Sequence, residues 1–255
     1  MSGAIGQIVI LTGAGISADS GVDTFRDSGG IWAKFDYRDV ATPEGFAADP
    51  CLVHDFYNAR RAGLRKIEPN PAHRAIATLQ REALARGGRV ILITQNVDDL
   101  HERGGSTDVW HMHGELTKAR CALKGPHGDG CGSVMDWHEE ITMDTPCPSC
   151  GSLGTLRPHV VWFNEMPMLM DDIDVALTQA ELFVSIGTSG SVYPAAGFVH
   201  GARAMGVPCI ELNLEPSDNA EAFSDARYGR ASEIVPAWVD DILANPDNYL
   251  QSNSP

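Results

Sequence analysis

Positively charged residues are scarce in this chain of 255 residues. It contains 19 Lys and Arg against 34 Asp and Glu, which gives a net charge of −15. Nucleic-acid backbones are bound by clustered Lys and Arg, so this balance argues against nucleic acid as a main partner. No apolar run approaches the roughly 18 residues of a membrane-spanning helix, and no signal peptide precedes the first apolar run. We therefore expect a cytoplasmic protein that binds neither nucleic acid nor membranes.

Cysteine is sparse as well, with six residues in the chain. In an intracellular protein such thiols stay reduced or bind metal rather than forming disulfides. Cys147-Pro-Ser-Cys150-Gly places two thiolates on one tight turn, as in a zinc knuckle. Cys131-Gly resembles the end of a second knuckle whose partner is Cys121, although their spacing is unusually long and His127 is an alternative ligand. The sequence predicts one structural zinc on these four cysteines, with a degenerate, metal-free site as the alternative.

Short apolar runs bounded by Gly, Pro or polar residues recur along the chain. They cover residues 7–11, 89–94, 109–112, 182–186, 207–212 and 233–235. Helical patterns, including residues 71–85 and 173–180, lie between several of these runs. Buried strands that alternate with helices indicate an α/β fold with a doubly wound parallel sheet.

Two stretches interrupt this alternation. Residues 29–68 are helical in pattern, and residues 117–156 hold four cysteines and are too poor in apolar residues to form a core of their own. We expect both to pack together as a smaller domain. The predicted division assigns 1–30, 71–116 and 158–255 to the main domain, and 31–70 and 117–157 to the smaller one. The two remaining cysteines are expected to be core thiols, Cys51 and Cys209.

A glycine turn follows the first apolar run. Gly13 and Gly15 fit the dinucleotide fingerprint G-x-G-x-x-G, but Ala18 stands at the third glycine. No acidic residue closes a second strand about 20 residues later, so a nucleotide site and a plain tight turn both stay open. A strand, a glycine turn and an opening helix would together form an anion site.

Residues 94–116 combine amides and carboxylates with a histidine. Gln95, Asn96 and Asp98 follow one apolar run, and His113 follows the next. Side chains at the ends of neighbouring strands line a polar pocket, and an imidazole moves protons near neutral pH. A solvated loop with a structural histidine is the alternative for this stretch taken alone.

Together these motifs resemble one family. GAGISADSGVDTFR, TQNVDDLH, HMHGEL, the cysteine knuckles and Gly187-Thr188-Ser189 stand in the order and spacing of the sirtuins, NAD-dependent protein-lysine deacylases. The resemblance runs from about Ile8 to Ile242. Within the family, the chain is most similar to the bacterial members of the desuccinylase-like class III. It implies a Rossmann-type NAD domain, a smaller domain of helices plus a zinc ribbon, and a cleft between them.

The resemblance also implies roles for individual residues. Asn213 would bind the adenine ribose, and so supply the contact that the fingerprint lacks. His113 would be the general base: the acyl oxygen attacks the nicotinamide ribose, nicotinamide leaves, and His113 activates a ribose hydroxyl. The products would be lysine, nicotinamide and O-acyl-ADP-ribose. The residues implied to bind NAD, the co-substrate, are Gly13, Ala14, Gly15, Thr24, Phe25, Arg26, Trp32, Gln95, Asn96, Asp98, Gly187, Thr188, Ser189, Asn213, Leu214 and Ala231.

Tyr57 and Arg60 are three positions apart in the helical stretch and share one helix face. Arg offers a planar fork to a carboxylate, and a phenol can donate a third hydrogen bond. In class III sirtuins a Tyr-x-x-Arg pair here binds the distal carboxylate of succinyl- or malonyl-lysine. The resemblance therefore implies an acidic acyl substrate, with acetyl-lysine as a further one. An exposed helix face, which nearby Arg61, Arg65 and Lys66 favour, is the alternative.

Val161, Trp162 and Phe163 match the sirtuin strand that pairs with the substrate backbone. The expected partners are therefore acyl-lysine proteins, bound as extended peptides. Asn164 follows where the family usually has Gly. Asn tolerates the left-handed conformation better than most residues, so we expect the turn to form.

Three other functions stay open at this point. The first is a plain deacetylase or ADP-ribosyltransferase on the same scaffold, for which Tyr57 and Arg60 would be dispensable. The second is a zinc-ribbon adaptor, which the acidic charge disfavours. The third is a hydride-transferring oxidoreductase, for which the sequence offers no clear substrate-side acid/base pair.

Overall fold

The computed structural model of the protein describes residues 5–22, 35–124 and 128–250. The strands in chain order are β1 (Gln7–Thr12), β2 (Arg89–Thr94), β3 (Val109–His111), β4 (Gly114–Cys121), β5 (Val134–Asp136), β6 (Leu156–Val160), β7 (Leu182–Ile186), β8 (Cys209–Asn213) and β9 (Asp225–Tyr228). The helices are α1 (Tyr37–Val40), α2 (Pro43–Ala48), α3 (Pro50–Leu64), α4 (Pro71–Ala85), α5 (Leu100–Arg103), α6 (Met170–Thr178), α7 (Phe198–Ala204) and α8 (Ala231–Ala244). Short 3-10 turns occupy Ala14–Ile16, Ala18–Ser20, Ala195–Gly197, Ala220–Ala222 and Pro246–Asn248.

The main sheet contains six parallel strands in the order β3-β2-β1-β7-β8-β9. From β1 the chain first builds one side of the sheet through β2 and β3, and it later builds the other side from β7 to β9. A crevice opens where this direction reverses, outside the carboxyl ends of β1 and β7. The predicted α/β fold with a doubly wound parallel sheet is confirmed.

One predicted strand is wrong. Residues 233–235 lie in α8, where Val235, Trp238 and Ile242 are buried at helical spacing. A run of three residues is too short to show that period. The sixth strand is instead β9, an edge strand with exposed ends. Because β9 contains no apolar run, it cannot be predicted from apolar runs.

Helices cover both faces of the main sheet. Ile8 and Ile10 of β1 point to the core beneath α4 and α8, whereas Val9 and Leu11 point to the core beneath α6 and α7. Burial on both faces explains why the strand reads as a continuous apolar run. The helix predicted over residues 71–85 is confirmed, and Asn70 caps it by accepting a hydrogen bond from the Ala72 N–H.

The smaller sheet has the antiparallel order β5-β4-β6. Helices α1 to α3 pack against it through a cluster in which Val53 and Phe56 join Leu116 of β4 and Val160 of β6. The predicted domain boundaries fall inside β4, which runs towards the cysteines, and inside the antiparallel β6, which runs back from them. None of the helices in the described ranges has the length and apolar character needed to cross a membrane.

The cysteine-rich stretch has a small core, contrary to the expectation from its composition. Ala119, Ile141 and Leu156 form this core together with Cys121 and Cys147. Two of the five members are therefore cysteines, which the count of apolar residues in this stretch undervalued.

The turn after β6 depends on Asn164, which has a φ of 71°. This is the left-handed region that the sequence predicted for it. A β-branched residue is strained there, whereas glycine is not.

Asn164→Val is expected to lower the free energy of unfolding by roughly 1–2 kcal/mol, because a β-branched side chain clashes with the backbone at positive φ and lacks the short polar group by which Asn tolerates it. Asn164→Gly should change it by less than about 1 kcal/mol. Urea denaturation of both variants measures the difference. Equal stabilities of the two variants would show that the backbone conformation at this turn does not matter.

Candidate active site

Two glycine loops touch at the crevice. Gly13 N–H donates to Ile186 O at 3.0 Å, and Gly15 N–H donates to Gly187 O at 2.9 Å. A Cβ built on Gly15 would lie 2.7 Å from Gly187 Cα, so a larger residue would push the loops apart. Gly187 itself has a φ of 62°. The expected opening helix is not present in the described part of this loop, where Ala14–Ile16 forms a 3-10 turn.

Side chains from neighbouring strand ends line the same crevice. Asn213 Nδ2 donates to Thr188 O at 2.8 Å, and the Thr188 hydroxyl lies 2.8 Å from that of Ser185. Gln95 and Thr188 line one cavity. Three more of the residues implied to bind NAD lie in the described ranges: Ser189 hydrogen-bonds Ser191, Leu214 is exposed, and Ala231 is the first residue of α8. Outside the described residues lie Thr24, Phe25, Arg26, Trp32 and the alternative zinc ligand His127.

A buried hydroxyl connects the amide and carboxylate that follow β2. Ser17 Oγ donates to Asp98 Oδ2 at 3.1 Å and accepts from Asn96 Nδ2 at 3.1 Å. The Leu100 N–H donates to the other carboxylate oxygen at 3.2 Å. Burial raises the pKa of Asp98, while these hydrogen bonds oppose the rise. Sequence reasoning missed Ser17, although it stands two positions after Gly15 in the glycine turn.

Two neutral histidines lie next to this network. The Asn70 N–H donates to His73 Nδ1 at 3.2 Å, so the ring proton is on Nε2, which lies 3.4 Å from Ser17 Oγ. His101 Nε2 lies 3.0 Å from Thr12 Oγ1, and the two imidazole rings are 5.0 Å apart. Burial lowers the pKa of His73 to about 4 and that of His101 well below its ordinary value. Both rings are therefore uncharged at neutral pH.

His113 lies at the turn between β3 and β4. Its Nδ1 is 3.1 Å from Gln95 O, and a carbonyl can only accept, so Nδ1 carries the proton. The Nε2 atom then holds the lone pair. Burial lowers the pKa of His113, so the ring is ready to accept a proton at neutral pH. This arrangement is that of a general base.

His111 differs from His113 in its partners. Its Nε2 is 2.7 Å from Glu102 Oε1 and its Nδ1 is 3.3 Å from Asn96 O, so both ring nitrogens face acceptors. Burial alone would lower the pKa of His111, but the Glu102 carboxylate raises it above its ordinary value. With both ring nitrogens facing acceptors, His111 offers no free lone pair, whereas His113 keeps one on Nε2.

The four predicted zinc ligands come together. The Sγ atoms of Cys121, Cys131, Cys147 and Cys150 lie within 4.8 Å of one another. The Cys121–Cys150 and Cys131–Cys147 sulfur distances are 3.8 and 3.9 Å. A tetrahedral zinc with Zn–S bonds of about 2.3 Å separates its sulfurs by about 3.8 Å, so the cluster fits this ion. The Cys131 N–H also donates to Cys121 Sγ, which shows how the long spacing is accommodated.

The remaining cysteines differ from each other. Cys209 is buried, as expected for a core thiol, whereas Cys51 is exposed and the expectation for it was wrong. Cys51 is the second residue of α3, where the amino end of the helix faces solvent.

Tyr57 is 2% exposed, so the alternative of an exposed helix face is wrong for it. The half-buried Arg60 places its guanidinium carbon 5.6 Å from the centre of the Tyr57 ring. Burial lowers the pKa of Arg60, and the nearby Tyr57 and Asp98 oppose the fall. The neighbouring Arg61 is also buried, and its Nε donates to Leu116 O at 2.9 Å. Helix α3 thus places Arg60 near the polar pocket, while Arg61 hydrogen-bonds the backbone of β4.

The segment after β6 is held by two elements. The Val161 N–H donates to His113 O at 2.8 Å, and the Phe163 N–H donates to Ala41 O at 2.9 Å. Phe163 is exposed on the surface, whereas the Trp162 side chain is buried. The three residues that the sequence grouped as a peptide-binding strand therefore face different surroundings.

A sequence model described as the Sir2 family matches residues 13–194. The chain belongs to the Sir2 family. It is 55% identical over 238 residues to an NAD-dependent protein deacylase of Caulobacter vibrioides, with 93% of this chain and 97% of that relative covered. The predicted resemblance to sirtuins is confirmed.

Solved Sir2 structures share the fold. The crystal structure of a Sir2 homolog–NAD complex has a TM-score of 0.81 and 36% identity, with 92% of this chain and 89% of that chain covered. A Sir2 complex with a deacetylated p53 peptide and 3′-O-acetyl-ADP-ribose has a TM-score of 0.76 and 25% identity, with 93% and 94% covered. The touching glycine loops of this Sir2-family chain fit a bound NAD, because they lie outside the carboxyl ends of β1 and β7, where the strand order of the sheet reverses.

Cys147→Ser is expected to abolish zinc binding by this Sir2-family chain, because only three thiolates remain to hold the ion. Metal analysis of the purified protein should fall from one zinc per chain to near zero. Cys51→Ser, which removes an exposed thiol of α3, should retain the metal. Native protein that folds without metal and has four reactive thiols in this cluster would contradict the assignment.

The neutral His73 should make stability depend on pH. Its folded pKa of about 4 lies below its ordinary value of 6.5. Below pH 6.5 the unfolded chain therefore binds a proton that the folded chain does not, and stability falls until about pH 4 is reached.

His73→Gln removes this proton uptake, at the cost of some stability near pH 7.5. The gap in unfolding free energy between wild type and variant should narrow by up to about 1.4 kcal/mol per pH unit as the pH falls through the window. Urea denaturation at several pH values measures it. A gap that stays constant from pH 7.5 to 4.5 would mean that His73 titrates normally in the folded protein.

Proposed function

We propose that this NAD-dependent protein deacylase preferentially removes succinyl and malonyl groups from lysine side chains and removes acetyl groups as a further activity. The observation that carries the proposal is the pairing of buried Tyr57 with half-buried Arg60 on α3. A hydroxyl and a guanidinium at one site suit the distal carboxylate of an acidic acyl chain.

Electrostatics favours this substrate at Arg60. Burial weakens the solvation of the guanidinium, as the lowered pKa of Arg60 reflects. A carboxylate in contact with it would restore part of the lost stabilisation, and a charge-assisted hydrogen bond contributes roughly 1.5–3 kcal/mol. An acetyl group brings no charge and gains none of this. The expected preference for an acidic acyl group is therefore about one to two orders of magnitude.

The reaction centre would lie between His113 and the network around Ser17. When bound, NAD supplies the ribose carbon that takes up the acyl oxygen and the hydroxyl that His113 deprotonates. His113 Nε2 accepts this proton because its Nδ1–H is already donated to Gln95 O. Asn96 and Asp98, held by Ser17, orient the ribose and carboxamide.

The acyl-lysine would arrive on an extended peptide. The backbone of residues 161–163 leaves β6 beside His113, and Phe163 offers an exposed aromatic surface at its end. Pairing of a peptide with this edge would bring the lysine side chain towards Tyr57 and the base. A solved Sir2 complex contains a deacetylated p53 peptide, which supports a peptide as the substrate.

Arg60→Met is expected to lower kcat/KM for a succinyl-lysine peptide by about 10- to 100-fold, because the charge-assisted bond is lost. Activity on the matched acetyl-lysine peptide should change by no more than about threefold, since an acetyl group makes no such bond. Nicotinamide release with NAD and the two peptides measures both rates. Equal losses on both substrates would leave a plain deacetylase as the better description.

Two controls accompany this experiment. Arg65→Met removes the same charge from the exposed end of α3 and should alter neither rate. His113→Tyr removes the base and should abolish turnover of both peptides. Full activity of the His113 variant would exclude it as the base.

A further inference from the structure

The Tyr57 hydroxyl has one hydrogen bond whose direction is certain. Trp162 Nε1 lies 3.0 Å from the Tyr57 oxygen. An indole N–H can only donate, so the phenol oxygen is the acceptor. The phenol proton must therefore point elsewhere. None of the residues 5–22, 35–124 and 128–250 accepts it. Both groups are about 2% exposed, so bulk water does not compete for the bond.

Contacts to the ring and to the backbone hold Trp162 in place. The Arg157 guanidinium carbon lies 3.2 Å from the centre of the Trp162 ring. Arg157 in turn donates to both Glu165 carboxylate oxygens, at 2.7 and 2.9 Å, and to Val160 O at 3.0 Å. Glu165 Oε2 also accepts from the backbone N–H of Trp162 at 2.8 Å. One ion pair thus holds both the ring and the backbone of Trp162 in the orientation that points the indole N–H at the Tyr57 oxygen.

A fixed donor decides what Tyr57 can do for an acyl chain. A phenol whose oxygen is unoccupied can accept as readily as it donates, and it then discriminates little between a carboxylate and an amide. With its oxygen occupied by the indole N–H, the same phenol acts as a donor, and accepting a bond strengthens its own donation. A carboxylate is the strongest acceptor that an acyl chain can offer.

We propose that Trp162 is a positioning residue for acyl selectivity: its N–H occupies the Tyr57 oxygen and commits the hydroxyl proton to the carboxylate of the acyl chain. This inference rests on the proposed function, because it presupposes that Tyr57 and Arg60 bind an acidic acyl group. It adds a residue that acts through the phenol rather than through the peptide backbone.

A double-mutant cycle tests the coupling. Wild type, Trp162→Phe, Tyr57→Phe and the double variant are compared by kcat/KM on matched succinyl- and acetyl-lysine peptides. Each single variant should lower the succinyl/acetyl ratio by roughly tenfold, mainly through KM for the succinyl peptide. In the Tyr57→Phe background, Trp162→Phe should change the ratio by less than about twofold, because the phenol that it orients is gone.

A second replacement separates hydrogen bonding from packing. Trp162→3-benzothienylalanine keeps the shape of the ring and exchanges only the N–H for sulfur, so the Arg157 stack and the fold should survive. The ratio should fall as it does for Trp162→Phe. A merely structural tryptophan would instead be rescued by this isostere, and a restored ratio would overturn the proposal.

The remaining outcomes are also decisive. Equal loss of succinyl and acetyl activity in Trp162→Phe, or additive effects in the double variant, would overturn the proposed coupling. A ratio that responds to Tyr57→Phe but not to either Trp162 replacement would sink this inference and leave the proposed function intact. A ratio that responds to neither Tyr57→Phe nor Arg60→Met would remove the acidic-acyl function, and the positioning role with it.

Discussion

Burial of the polar segment after β2 is the constraint on which the site depends. Asn96 and Asp98 are almost completely removed from water, and a buried polar group without a partner is costly. Ser17 meets this demand by donating to Asp98 while it accepts from Asn96 and lies within reach of His73. The histidine beneath it must stay neutral to fit the same network. Hydrogen-bond partners therefore determine where the protons of the site lie near neutral pH.

The same segment connects the proposed reaction centre to the proposed acyl pocket. Val97 O accepts from the Leu116 N–H, and Leu116 O accepts from Arg61 Nε on α3. His113 lies just before Leu116 along the chain, and Tyr57 lies one helical turn before Arg61. Two hydrogen bonds thus join the stretch around His113, the proposed base, to the helix that carries Tyr57 and Arg60. Such preorganisation matters because small errors in the spacing of reacting groups cost large factors in rate.

How much the sequence reveals depends on how local the role of a residue is. Gly13 and the knuckle at 147–150 were readable because each role is set by neighbours along the chain. Ser17 and His73 were missed because they lie 56 positions apart in the chain, so their contact depends on the fold and not on neighbouring residues. The resemblance to sirtuins places Trp162 in a strand that pairs with the substrate backbone, but the sequence does not show which side chains of that strand point inward. The structure shows that its side chain points inward and that its Nε1–H donates to the Tyr57 oxygen.

The net negative charge of the chain and the positive charge of Arg60 act over different distances. The net charge of −15 repels an acidic acyl chain only weakly beyond the Debye length of about 8 Å at physiological salt. Arg60 acts at contact, against the rings of Phe56 and Tyr57, where screening is weaker. In the proposed reaction, deacylation leaves a positive ammonium on the peptide while the carboxylate stays with the ADP-ribose product. Arg60 therefore attracts the substrate but not the peptide product, so one half-buried charge favours both selection of the acyl group and release of the peptide.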